Sequence, residues 1–102
     1  MQPRGRAAES FERTTRALNE ERAAALRNIS RTLEALIEQL QAERARIALL
    51  PDEERAAELT SYRELRRKAK QYRWYLEVQR EALGLRHHHR LDEFYAIPDA
   101  LE

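Results

Sequence analysis

Residues 26–51 read LRNISRTLEALIEQLQAERARIALLP. Leu26, Ile29, Leu33, Leu36, Leu40, Ile47 and Leu50 recur at alternating three- and four-residue steps, with one gap at Glu43. That is the a/d stripe of a coiled-coil helix, and its period is wrong for a strand. The stripe ends at Pro51, whose ring cannot continue a helix but suits the start of another. Upstream, no glycine or proline interrupts the chain from Ala7 to Leu49, so one helix is expected over about 7–49.

Downstream, Asp52, Glu53 and Glu54 place negative charge where a helix N-terminus favours it. A second stripe follows: Leu59, Tyr62, Leu65, Ala69, Tyr72, Leu76 and Leu83. Gly84 supplies the left-handed residue that closes helices, with Leu85 placed for the accompanying apolar contact. The spacing therefore predicts a second helix over about 52–83.

A connection this short makes the two helices antiparallel neighbours. With the turn centred on Pro51, the stripes meet as Leu26 with Leu76, Ile29 with Tyr72, Leu33 with Ala69, Leu36 and Ile37 with Leu65, and Leu40 with Tyr62. Two stripes read separately fit one register. The fold expected is all-α: a single domain spanning 1–102, built as a long coiled-coil-like hairpin. A break near Asn28-Ile29-Ser30 would instead give a three-helix bundle. The first helix overhangs the second and carries Phe11 and Leu18. The tail, residues 84–102, should hold a short helix over about 91–96. Its Leu91, Phe94, Tyr95 and Ile97 are expected to cover the overhang. Leu101-Glu102 has the form of a cloning-site remnant and is given no role.

Composition narrows the chemistry. The 102 residues are 36% charged and carry a formal charge of +1, so bulk electrostatics select no partner. There is no cysteine, which removes thiolate catalysis, disulfides and Cys-based zinc sites. Met1–Ser10 has no apolar run of the signal-peptide kind, and no stretch nears the ~18 apolar residues of a membrane span. A cytoplasmic chain with no membrane contact is expected. Arginine far outnumbers lysine, which occurs only at Lys68 and Lys70, as in proteins of GC-rich bacterial genomes.

Three features could carry function. The first is His87-His88-His89. Were the helix to continue, His88 with Asp92, or His89 with Glu93, would share a face at a metal-ligand spacing. Two ligands do not make a zinc site, so no metal is expected there. The second is a basic stretch: residues 63–90 hold nine Lys/Arg against three Glu. Arg63, Arg66, Arg67, Lys68, Lys70, Arg73, Arg86 and Arg90, interleaved with Tyr72, Trp74 and Tyr75, could follow a phosphate backbone and stack on bases. A solvated face paired to Glu34, Glu38 and Glu64 explains the same charges.

The third feature is a second apolar stripe. Trp74 lies farthest from the seam, and Val78, Ala82 and Leu85 continue its face. The C-terminal half of the second helix is therefore apolar nearly all round, as in a helix buried on every side. Either the tail folds over Trp74, or a second copy covers it in a four-helix homodimer. No phosphate loop, nucleophile motif or isolated acid/base pair is present, so neither catalytic residues nor a cofactor are expected. The function expected is that of a non-enzymatic helical interaction or scaffold protein, self-associating and open to an unidentified protein partner. Nucleic-acid binding is the alternative.

Overall fold

The computed structural model describes residues 5–88 and 90–101. It contains three helices: α1 (Arg6–Ala48), α2 (Asp52–Ala82) and α3 (Leu91–Phe94). Helix α1 runs unbroken through Asn28-Ile29-Ser30, so no third long helix arises there. The heptad crosses that point without a glycine or proline to release it. Thr32 even turns its hydroxyl back onto the Asn28 carbonyl at 3.0 Å.

The turn is short because the chain is stopped abruptly. The Leu49 and Leu50 amides donate to the Arg46 and Ile47 carbonyls at 3.1 Å each, tightening the last turn of α1. Pro51 then takes the N-cap position of α2, its carbonyl accepting from the Glu54 and Arg55 amides. At the far end Gly84 adopts φ 86°. The Gly84 amide donates to the Glu81 carbonyl and the Leu85 amide to that of Arg80, both at 2.9 Å. This is the left-handed double cap that glycine permits at no steric cost.

The two long helices lie side by side and bury one seam. From α1 it takes Leu33, Leu36, Leu40 and Ile47, and from α2 Tyr62, Ala69 and Leu76. Leu26, Ile29, Ile37, Leu50, Leu59, Leu65 and Tyr72 pack around them. Polar contacts mark both ends. Arg46 reaches Glu58 at 2.6 Å near the turn, and Arg22 donates to the Ala82 carbonyl at 3.3 Å at the open end. Both lie within one helical turn of the register centred on Pro51. The rod measures 80 × 22 × 15 Å. Among the described residues no helix is long and apolar enough to cross a membrane.

The tail departs from the sequence expectation. It does not lie on the overhang; it turns back along the hairpin toward the Pro51 end. Leu91 is buried in the core, with Tyr95, Ile97 and Leu101 packed against it. Tyr62 donates its hydroxyl to the Asp99 carbonyl at 2.9 Å, Arg44 donates to the same oxygen at 2.8 Å, and Arg66 donates to the Pro98 carbonyl at 2.9 Å. Asp92 pairs with Arg73 at 2.9 Å. Leu101 therefore has a structural role, sitting by a recess lined by Arg44, Ile47, Arg55 and Leu59. Phe94 faces solvent at 71% exposure and touches no overhang. The reason is energetic. The groove between α1 and α2 has two apolar walls and three donors for the tail's carbonyls, whereas the overhang has one helix. About sixteen residues of α1, from Arg6 to Glu21, extend past the end of α2 with every side chain exposed.

Candidate functional site

Helix α2 has three sides. One packs on α1 and one meets the tail, which leaves the third to solvent. At 100° per residue, Arg63, Arg67, Lys70, Trp74 and Val78 fall along that third side. The stripe is basic toward the hairpin turn and apolar toward Gly84. Trp74 is 59% exposed, Val78 40% and Leu85 44%, and Ala82 is exposed as well. Trp74 leans on Tyr75 with ring centroids 5.6 Å apart, and Tyr75 meets Tyr72 edge-on at 5.5 Å. Tyr75 therefore fixes one edge of the indole while the rest of the ring remains open.

Of the two covers expected for this face, the chain's own tail is not the one, since Trp74 stays 59% exposed. Within one chain the C-terminal half of α2 is buried on two sides, because the tail takes the other groove. Trp74, Val78 and Leu85 instead form an uncovered patch of the kind that marks interaction sites.

The basic residues nominated from sequence divide by partner. Arg66 holds the Pro98 carbonyl, and Arg73 holds Asp92, so both are spent on docking the tail. Arg67 clasps Glu64 at 2.6 Å. The hydrogen bond and charge of Arg67 pull the Glu64 carboxyl below its usual range and raise the guanidinium in turn. Among the described residues no ion pair holds Arg63, Lys68, Lys70, Arg86 or Arg90. Lys68 looks elsewhere, into a shallow groove with Gln39, Glu43, Glu58 and Glu64. Arg63 and Lys70 are thus the cations that remain beside Trp74.

The histidine reading also changes. Residues 85–88 are not helical, so His88 and Asp92 do not share a helix face. His88 instead accepts from Arg80 Nε through Nδ1 at 3.2 Å, and its Nε2 sits 3.2 Å from Glu81. A neutral ring with its proton on Nε2 satisfies both contacts. Arg80 also donates to the His87 carbonyl at 2.9 Å, so the segment is tied down by α2. His89 and its pairing with Glu93 lie outside the described residues. Among the described residues no three His, Asp or Glu side chains gather as ligands.

The tail-docking triad of Arg44, Tyr62 and Arg66 was not visible in the sequence. Periodicity marks Tyr62 as a seam residue but says nothing of where its hydroxyl points. Comparison with protein-family models, curated proteins and solved structures finds no match to this chain.

Proposed function

We propose that this chain is a non-enzymatic helical interaction protein, which self-associates and presents the Trp74 face to a partner. The observation that carries the reading is the uncovered stripe itself. A large aromatic, Val78 and Leu85 stand in water although the chain has a tail that could have covered them. Burial of such a patch stabilises association at about 25 cal/mol per Å² of apolar surface removed from water. The rest of the surface is heavily charged, which directs association to this patch and to the bare end of α1.

Light scattering should return about twice the 12.1 kDa chain mass. A wild-type chain that stays monomeric at high concentration would end the self-association half of the reading. The same measurement on Trp74→Glu locates the patch. Two hairpins facing through Trp74 would make a four-helix bundle, and the variant would then dissociate. Retention of the dimer leaves Trp74 for another macromolecule.

The second reading is nucleic-acid binding, favoured by one specific arrangement: the unpaired Arg63 and Lys70 precede Trp74 along a single line of α2. Cations spaced along a stripe that ends in an open indole suit a single strand, which needs phosphate contacts and a stacking platform. On this reading RNA or single-stranded DNA quenches Trp74 emission, affinity falls steeply as salt rises, and Lys70→Glu weakens binding. Failure of both nucleic acids to bind at low salt removes it.

A further inference from the structure

Two charges stand beside the Trp74 stripe without a counter-ion. Lys70 precedes Trp74 by four residues, and Glu77 follows it by three. At 100° per residue they lie about 40° and 60° from the Trp74 direction, both on the flank where Arg73 meets the tail. Lys70 is exposed and Glu77 half-buried. Among the described residues neither has an ion pair. They cannot answer each other within one chain, because seven residues of helix hold them about 10 Å apart. The opposite flank holds Arg67, Gln71 and Val78, and Arg67 is already clasped to Glu64.

We infer that the occupant of the Trp74 face is α2 of a second copy, packed antiparallel about a two-fold axis that passes beside Trp74. This rests on the reading that the chain self-associates, and it names what covers the face and in what register. In an antiparallel pair related by such an axis, the same flank of each helix meets itself. Trp74 then lies opposite Trp74, at the centre of the contact, where large aromatics contribute most. Gln71 comes level with Glu77 of the other copy, so Lys70, one residue along, falls within about 1.5 Å of that carboxylate's level on the same flank. The axis makes this Lys70–Glu77 pair twice. On the opposite flank Val78 comes beside Gln71, so no like charges face each other there. Arg67 comes level with Glu81, but each already has a partner in its own chain, and the contact needs neither.

The same two charges reject the neighbouring registers. A slide of one heptad in one direction sets Lys70 beside Lys70, and a slide in the other sets Glu77 beside Glu77. A parallel pair brings opposite flanks together, and Lys70 and Glu77 then look onto Gln71 and Val78. The antiparallel register centred on Trp74 joins opposite charges and apposes the two indoles.

Sedimentation equilibrium on the full chain tests this by charge exchange. Lys70→Glu turns both symmetric pairs from attraction to repulsion and should raise the dimer Kd about tenfold. Glu77→Lys should do the same. The double variant K70E/E77K restores opposite charges across the axis and should bring Kd back to within about threefold of wild type. All three should keep the wild-type circular dichroism, since neither side chain belongs to the buried seam. Rescue cannot arise inside one helix, where the two positions are out of reach of each other. If wild type dimerises and Trp74→Glu dissociates it, but the single reversals leave Kd unchanged or the double variant stays as weak as they are, the register is wrong while the face and self-association stand. If Trp74→Glu keeps the dimer, the second copy sits elsewhere and the inference fails. A monomeric wild type overturns the self-association reading as well.

Discussion

Leu33→Ala and Leu76→Ala are each expected to lower the unfolding free energy by about 2–5 kcal/mol, as large core truncations do. Leu33 is 0% exposed and Leu76 2%. A rod two helices thick has few layers, and each truncation opens a void that neighbours on only one or two sides can fill. In a chain of this length such a loss lowers Tm by on the order of 10 °C. Leu49→Ala is the control. Leu49 sits at the turn with 87% of its surface exposed, and its truncation should be close to neutral. Chemical denaturation followed by circular dichroism measures all three. Seam variants within about 0.5 kcal/mol of wild type would mean that the hairpin is not packed through these layers.

Tyr62→Ala is expected to cost about as much as a core phenylalanine, roughly 3–5 kcal/mol. Tyr62 is 1% exposed, and its ring fills the seam while its hydroxyl reaches the Asp99 carbonyl. Tyr62→Phe separates the two roles. It keeps the ring and removes one hydrogen bond, for an expected loss of about 1 kcal/mol. The distinguishing readout is local. In Tyr62→Phe the amides of residues 96–101 should exchange faster, while those of α1 and α2 at the seam stay protected. Unchanged exchange in the tail would show that the hydroxyl does not hold it.

Much of the hairpin was legible because its cause is periodic. Leu33, Leu36 and Leu40 announce a buried face by spacing alone, Pro51 announces the stop, and Gly84 the cap. The path of the tail was not legible. Arg44, Tyr62 and Arg66 grip backbone carbonyls at Pro98 and Asp99, and every residue presents a carbonyl, so no side-chain pattern records the contact. The apolar surfaces of the overhang and of the tail suggested that they meet, but a groove between two helices offers more contact than one bare helix. The Trp74 stripe was read correctly as a face turned away from the seam. What covers it could not be read, because amphipathic spacing identifies a face and not its occupant. His88 likewise drew attention as a ligand, whereas Arg80 and Glu81, eight and seven positions earlier, engage it through a turn that the sequence does not outline.

The length of the rod governs how the molecule moves through solvent. Its radius of gyration is 20.5 Å, against roughly 13 Å for a compact chain of this size. Friction rises with that extension, so a single chain diffuses and sediments more slowly than its 12.1 kDa suggests. On a gel-filtration column calibrated with globular standards, the monomer elutes where a compact protein of larger mass would. Two rods joined end to end would exaggerate this displacement, whereas two stacked flank to flank would lessen it. Friction cancels in the ratio of sedimentation to diffusion, so that ratio gives the mass of the assembly and either coefficient alone then gives its shape.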